Sequence, residues 1–159
     1  IMAPVVIVVL GIKQMIKPLR TVEKVWWIIS LNVAVSVAIK NILKHLFGRY
    51  WPLTWIDHNL SFIKNNVYGF NWLHGNALNA AFPSGHAMVT FTAMIMLWCV
   101  YPKWRWLYGV VCVAVMISLV AADYHFVSDV IAGAILGYLL AIFAFRLYLQ
   151  KSDNEYITT

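Results

Sequence analysis

Two histidines lie beside residues that would equip them for acid–base or nucleophilic chemistry. His86 closes the run Pro83-Ser84-Gly85-His86, where a polar loop gives way to a long apolar run. His125 precedes Asp129 by four residues, so the two side chains share one face if a helix begins there. A carboxylate bonded to one imidazole nitrogen fixes the tautomer and makes the other nitrogen a better nucleophile or base. A solvated link with a helix-capping aspartate is the alternative for this pair.

The residues before His86 suit a helix start that binds an anion. Ser84 is a good N-cap residue, and Gly85 lets the backbone approach a ligand closely. Free N–H groups and the helix dipole attract anions at such a terminus. A simple turn that opens an apolar helix would account for Pro83, Ser84 and Gly85, but not for the histidine.

Three basic residues cluster at the end of an earlier apolar run. Lys40 and Lys44 are four residues apart, and Arg49 follows in the next loop. Phosphate binding would explain three cations at this position. Snorkelling of the long side chains to lipid headgroups is the alternative.

Together these groups favour phosphoryl transfer without a metal. One histidine would attack phosphorus, the other would protonate the leaving oxygen, and cations with N–H groups would hold the remaining oxygens. The sequence offers no second carboxylate cluster for a hard metal, which requires several oxygen ligands. Cys99 and Cys112 both fall inside apolar runs, so we expect neither a thiolate metal site nor a disulfide. No cofactor is expected.

The composition is that of a membrane protein. Of the 159 residues, 62% are hydrophobic and 11% are charged, and the mean hydropathy is +0.75. A soluble domain carries about 25% charged residues. The net charge of +6 comes mostly from residues between apolar runs, which indicates membrane topology rather than a nucleic-acid partner. We therefore predict one membrane-embedded domain over residues 1–159.

Apolar runs predict an all-α, polytopic bundle of transmembrane helices. Residues 1–12 are apolar but lack the charged region and cleavage site of a signal peptide, and we expect them to be the tail of an incomplete span. Residues 150–159 are expected to form a short solvated tail. A span needs about 20 residues, which the middle two of the four main runs reach only with flanking residues. These runs are Val25–Leu46, Ala87–Tyr101, Trp106–Ala122 and Val130–Leu149.

The basic residues predict the orientation. Eight of the twelve lysines and arginines fall in the link 13–24, the turn 101–106 and the C-terminal end, which alternating crossings place on one side. The positive-inside rule makes that side cytoplasmic. The loop 48–82 and the link 124–128 then face outward, so the three polar clusters are expected to meet at one membrane face.

The motifs resemble those of the type 2 phosphatidic acid phosphatase (PAP2) superfamily of membrane lipid phosphatases. That family carries KxxxxxxRP, PSGH and SRxxxxxHxxxD in this order. The second motif is intact at residues 83–86, the third keeps Ser118, His125 and Asp129, and the first keeps Lys44 and Pro52. The arginine of the first motif is replaced by Trp51 and that of the third by Leu119.

The resemblance implies a six-span helical core and a role for each matching residue. His125 would be the nucleophile that forms a phosphohistidine, Asp129 would orient it, and His86 would be the general acid. The phosphate would be bound by Lys44, Ser84 and Gly85. In the family both missing arginines contact phosphate. Arg49, and further Lys40, are expected to compensate for the arginine of the first motif, whereas nothing obvious replaces that of the third, where the nearest charge is Asp123.

The expected function is hydrolysis of a lipid-linked phosphate or diphosphate of the lipid A, polyprenyl or phosphatidate type. The enzyme would lie in a bacterial inner membrane with its site facing the periplasm. Its partners would be the substrate and membrane lipids, and Gly133 and Gly137 offer a close-packing face for another helix, within the chain or in a second copy. Two alternatives stay open: a lipid phosphotransferase that uses the same phosphohistidine, and a non-catalytic lipid-binding relative.

Overall fold

The structure is a computed structural model that describes residues 2–55 and 58–157, with the side chains of residues 2 and 151–157 left aside. Over these ranges the regular structure is helical, apart from two isolated β-bridges in the loop 48–82. This confirms the predicted all-α class. The six α-helices are α1 (Met2–Ile16), α2 (Thr21–Phe47), α3 (Phe62–Asn65), α4 (Gly85–Val100), α5 (Arg105–Ala121) and α6 (Val127–Ile157).

Three stretches of the described chain are long and apolar enough to cross a membrane. They lie at Thr21–Phe47, Pro102–Ala121 and Val127–Gln150, in agreement with three of the predicted runs. The fourth run is α4, whose 16 residues span only about 24 Å at 1.5 Å per residue, less than the roughly 30 Å of a bilayer core. Helix α6 continues past Leu149, where the predicted run ends, as far as Ile157, because no glycine or proline interrupts it there. The solvation predicted for residues 150–159 stays a prediction.

Helix α4 lies at the centre of the bundle and packs most closely against α6. A Cβ atom at Gly133 would collide with the carbonyl oxygen of Ser84, and one at Gly137 would collide with that of Met88. The GxxxG spacing therefore brings two helix backbones together within one chain. The face that we considered for a second copy is occupied by α4.

Helix α2 closes the other side of this pair. Val25 and Ile29 of α2 form a buried cluster with Met96 of α4 and Ala141 of α6. The side-chain amide of Asn32 donates to the carbonyl oxygen of Leu140, 3.3 Å away. A polar side chain within a membrane-spanning helix needs such a partner, because lipid tails offer no hydrogen-bonding groups.

The loop 48–82 folds back over the end of α2. Gly48 ends the helix in the left-handed region, with φ = 53°, where glycine is favoured. The amides of Leu73 and Gly75 then donate to the last carbonyls of the helix, at Leu46 and His45. Phe47 anchors the loop through rings that lie 4.8–5.9 Å away, those of Phe70, Trp72 and Phe82. The loop is thus fixed to the bundle beside the start of α4.

Candidate active site

The polar clusters of the sequence meet in one cavity at this end of the bundle. The cavity has a volume of about 240 Å³ and draws its walls from α2, the loop 48–82, the start of α4 and the link between α5 and α6. The lining residues are Lys40, Lys44, Trp51, Gly85, His86, Val89, Thr90, Tyr124 and His125. Both predicted catalytic histidines and both predicted lysines therefore share one space.

His125 and Asp129 form a buried pair at the start of α6. The His125 side chain is 1% exposed and the Asp129 side chain is fully buried. The Nδ1 atom of His125 lies 3.6 Å from Oδ2 of Asp129, which is longer than a direct hydrogen bond. Among the described residues Nδ1 has no hydrogen-bond partner. The Asp129 carboxylate is thus the acceptor that a small movement would bring to Nδ1. The other ring nitrogen, Nε2, takes no part in this contact.

The local chain explains why Asp129 is held in place. Its Oδ2 atom accepts a hydrogen bond from the amide of Phe126, 3.1 Å away, and so caps the first turn of α6, as in a capping box. Its carbonyl oxygen accepts from the amide of Ser84 at 3.0 Å. The capping role considered from the sequence thus exists alongside the contact with His125. The second bond joins the start of α6 to the start of α4.

The PSGH motif forms the N-terminus of α4. Ser84 is buried, and its Oγ atom accepts from the amide of Ala87 at 3.4 Å, so it is the N-cap predicted from the sequence. Gly85 and His86 follow in the first turn and line the cavity. A Cβ atom on Gly85 would lie 2.6 Å from Cδ of Lys40. Glycine at this position leaves room for the lysine side chain to lie across the helix start.

The two lysines of α2 reach the cavity one helical turn apart. The Lys44 ammonium donates to the carbonyl oxygen of Ala80 at 2.5 Å and lies 5.2 Å from the centre of the Trp51 ring. Lys40 packs its stem against Gly85. Their charged groups therefore approach the same helix N-terminus at which Ser84 is the cap.

Arg49 is in a different position from the two lysines. It does not line the cavity, and its side chain is 4% exposed. Its Nη1 atom forms an ion pair with Oδ1 of Asp129 and donates to Oγ of Ser128 at 2.7 Å. Its Nη2 atom donates to the Tyr68 hydroxyl at 2.9 Å. The structure thus brings Arg49 to the carboxylate behind His125.

The two residues at the arginine positions of the motifs play other parts. Trp51 is buried and lines the cavity, with its ring 5.2 Å from that of His125 and 5.4 Å from that of Tyr124. Leu119 contributes its carbonyl oxygen, which accepts from the amides of Tyr124 and His125 at 3.1 and 3.2 Å. Trp51 thus gives an aromatic wall to the imidazole. The turn that carries His125 is held by the backbone of Leu119, and nothing in the structure explains the leucine side chain at this position.

Sequence reasoning did not identify several residues of the site. Tyr124 stands between the rings of His86 and His125, at 6.0 and 5.2 Å, and its place beside His125 in the sequence was the available signal. Tyr68 and Ser128 bind Arg49. No spacing pattern marks Tyr68, because it reaches the site only through the fold of the loop 48–82.

A metal site is not evident in the part of the chain that the structure describes. Within residues 2–55 and 58–157, no three histidine, cysteine, aspartate or glutamate side chains are grouped so that they could hold an ion. The positive charges beside the cavity come from Lys40 and Lys44. These lysines could occupy the electrostatic role that a cation would have near a phosphate.

Comparison with known families agrees with this arrangement. The family described as the PAP2 superfamily matches residues 25–153, which include every residue of the cavity. The chain belongs to the PAP2 superfamily. The resemblance inferred from the three motifs is thereby confirmed.

Three curated relatives outside this chain are similar at modest identity. The chain is 25% identical over 119 residues to an undecaprenyl-diphosphatase of Sulfolobus acidocaldarius, covering 74% of this chain and 52% of the relative. It is 28% identical over 128 residues to the bacitracin transport permease protein BcrC of Bacillus licheniformis, covering 79% and 58%.

The third relative is the putative undecaprenyl-diphosphatase YbjG of Escherichia coli, 28% identical over 108 residues, covering 67% of this chain and 50% of the relative. The chain thus spans about half the length of the curated relatives that it matches. No solved structure matches it significantly.

Proposed function

We propose that this PAP2 chain is a membrane phosphatase that hydrolyses a lipid-linked diphosphate or phosphate through a phosphohistidine on His125. One observation carries the proposal. His125, with Asp129 behind its Nδ1 atom, shares a cavity with a second histidine, two lysines and the N-terminus of a helix. Nucleophile, acid and charge stabilisation are the three elements that metal-free phosphoryl transfer requires.

In the first step, Nε2 of His125 attacks phosphorus. The N–P bond forms while the bond from phosphorus to the leaving oxygen breaks, and His86 gives its proton to that oxygen. Asp129 accepts the Nδ1 proton as a hydrogen bond and stabilises the positive charge that develops on the ring. The contact of 3.6 Å between these groups would shorten in this step, since catalytic hydrogen bonds often tighten only with substrate bound.

In the second step, a water molecule replaces the histidine. His86, now neutral, accepts a proton from the water as its oxygen attacks phosphorus and the N–P bond breaks. Inorganic phosphate leaves, His125 regains its lone pair and His86 regains its proton. A phosphotransferase would differ only in using the hydroxyl of another lipid instead of water.

The phosphate oxygens would be held by Lys40, Lys44 and the first N–H groups of α4. These N–H groups have no partner within the helix and carry the positive end of its dipole. The alternative of headgroup snorkelling accounts less well for Lys44, whose ammonium is bonded to the carbonyl of Ala80 and lies beside Trp51. Ser84 would act by shaping the terminus, because its side chain is buried.

A polyprenyl diphosphate is the substrate that we favour within the lipid phosphates. Two of the relatives bear the name undecaprenyl-diphosphatase, one of them as putative, and the cavity lies at the ends of apolar helices, where a lipid headgroup would be presented. We propose that this end faces outward, in a bacterial inner membrane, because the basic residues concentrate at the opposite end.

The test is phosphate release by purified protein in detergent with EDTA present. The substrates are undecaprenyl diphosphate, phosphatidic acid, phosphatidylglycerophosphate and lipid A. We expect release from the diphosphate, and a loss of about a thousand-fold or more in His125→Ala. The control is Arg105→Ala, which alters an exposed residue far from the cavity and should leave the rate unchanged. Release that EDTA abolishes would contradict the metal-free scheme, and transfer of the phosphate to an added lipid acceptor without release of inorganic phosphate would indicate a phosphotransferase.

A further inference from the structure

Arg49 is buried, and both of its terminal nitrogens, Nη1 and Nη2, are bonded to residues behind the nucleophile. Its guanidinium pairs with Asp129, bonds Ser128 and Tyr68, and lies 4.4 Å from the centre of the Phe126 ring. Phe70 and Tyr68 place their rings at 5.2 and 5.3 Å. Such aromatic faces stabilise a cation in a desolvated site.

The backbone of Arg49 is fixed as firmly as its side chain. Its carbonyl oxygen accepts from the amide of Ala81, and its strand-like segment bridges to Phe70. The side chain therefore cannot turn into the cavity without breaking an ion pair and two hydrogen bonds in a buried environment. Breaking one partner away from a buried pair is strongly unfavourable, so phosphate binding by Arg49 is the less favourable use of this residue.

The charges in this buried group balance. Paired with each other, Asp129 and Arg49 carry no net charge, and the proposed mechanism requires a neutral His125 beside them. If the arginine were absent, the buried carboxylate would lack compensation, and the nearest group able to supply a positive charge is the imidazole 3.6 Å away. A protonated His125 has no lone pair with which to attack phosphorus.

We propose that Arg49 is a positioning residue that neutralises Asp129, so that the carboxylate orients His125 without recruiting a proton onto it. The inference rests on the proposed function, in which neutral His125 is the nucleophile. In this inference Arg49, two residues before Trp51, interacts with the carboxylate of Asp129 and not with the substrate phosphate. Lys40 and Lys44 remain as the cations of the cavity.

Other charged and titratable groups face His125 and stay unchanged in the test. They are Lys40 and Lys44 on α2, His86 on α4 and Tyr124 on its own link. Tyr68, in the loop 48–82, touches only the arginine side of the group. A change in the charge of the His125 imidazole after removal of Arg49 can therefore be assigned to the loss of charge balance among Arg49, Asp129 and His125.

The experiment compares Arg49→Met, Arg49→Lys, Asp129→Asn and the double variant Arg49→Met/Asp129→Asn. Two readouts are used: the pH dependence of kcat, and the charge of the His125 imidazole from its side-chain ¹⁵N NMR signals in detergent. Thermal unfolding of each variant monitors folding. Competitive inhibition by inorganic phosphate reports separately on the phosphate pocket.

For Arg49→Met we expect a cationic His125 at neutral pH, a fall in kcat of about ten-fold or more, and an acid limb displaced to higher pH. Arg49→Lys keeps the charge and should keep His125 neutral. In the Asp129→Asn background, Arg49→Met should lower kcat by less than about three-fold, because no carboxylate remains to be neutralised. Competitive inhibition by inorganic phosphate, which needs no lone pair on His125, should be retained in Arg49→Met.

The inference is overturned if His125 stays neutral in Arg49→Met. It is also overturned if the losses in kcat caused by the two single substitutions multiply in the double variant. A loss of inhibition by inorganic phosphate would likewise overturn it and place Arg49 on the phosphate. If Arg49→Met does not fold, a cationic His125 in Arg49→Lys overturns it and a neutral one supports it. Because NMR reads the imidazole without turnover, inactivity of the unaltered protein would reject the proposed function and leave this result standing.

Discussion

The basic residues near His125 divide into two groups with different surroundings. Lys40 and Lys44 reach the cavity, whereas Arg49 is enclosed by aromatic rings and paired with Asp129. A lysine ammonium is a point charge on a flexible stem, but a guanidinium fits a carboxylate and stacks on rings. Each residue type thus occupies the environment that suits its chemistry.

His86 is the residue whose role depends on the leaving group. If it protonates the leaving oxygen, His86→Ala should lose about 100-fold or more in kcat on a lipid substrate whose leaving group is a poor one. On p-nitrophenyl phosphate, whose leaving oxygen needs little protonation, the loss in the first step should be much smaller. Measuring phosphohistidine formation with both substrates tests this. Equal losses on the two would contradict a general-acid role.

Predictability from the sequence differed among the site residues. The i to i+4 spacing of Lys40 and Lys44 was sufficient to place that pair together, since a helix fixes that geometry. His125 precedes α6, which begins at Val127, so its approach to Asp129 depends on the turn that Asp129 caps. Arg49 follows Gly48, where the chain reverses. The direction of the Arg49 side chain therefore depends on the contacts of its backbone with Phe70 and Ala81. Those contacts come from a loop with no periodic pattern.

The contact between α4 and α6 sets the distance between the two catalytic segments. Ser84 and Asp129 are joined through their backbones, and Gly133 lies against Ser84 one turn further along α6. The sequence predicted close packing at Gly133 and Gly137 but left its partner open, because a GxxxG spacing is the same for an internal and an external helix. The helix ends were predicted to within a few residues, except that of α6.

A methyl group at Gly133 should therefore disturb both packing and catalysis. Its Cβ atom would meet the backbone oxygen of Ser84, which cannot rotate away. We expect Gly133→Ala to lower the stability by about 1–3 kcal/mol and to reduce kcat by displacing the start of α4. Thermal unfolding in detergent and phosphate release measure the two effects.

Gly11→Ala is the matched control for this change. Nothing lies within 4 Å of a Cβ atom at Gly11 in α1, so the same chemical substitution meets no obstacle there. It should leave both the unfolding temperature and kcat unchanged or slightly improved. Unaltered stability of Gly133→Ala would show that α4 and α6 are not in the contact described.

At the scale of the whole molecule, segments distant in sequence meet at one end of the helical bundle. The end of α2, the start of α4 and the link between α5 and α6 come to the cavity, and the loop 48–82 covers the end of α2. The hydropathy pattern was enough to predict this convergence. It could not define the loop, whose form depends on the rings around Phe47.

The proposed orientation can be measured with single cysteines. In a background with Cys99→Ala and Cys112→Ala, the probes are Leu60→Cys in the exposed loop and Lys103→Cys in the exposed turn between α4 and α5. A membrane-impermeant maleimide applied to intact cells should label the first and reach the second only after permeabilisation. The reverse pattern would place the cavity on the cytoplasmic side.

The most direct measurement of the central claim is capture of the phosphorylated enzyme. Protein is mixed with undecaprenyl diphosphate labelled in its terminal phosphate, quenched within a fraction of a second, and examined for bound label. The account predicts an acid-labile, alkali-stable phosphate on a peptide that contains His125, and none in His125→Ala. Label on another residue, or steady phosphate release from His125→Ala at the unaltered rate, would contradict it.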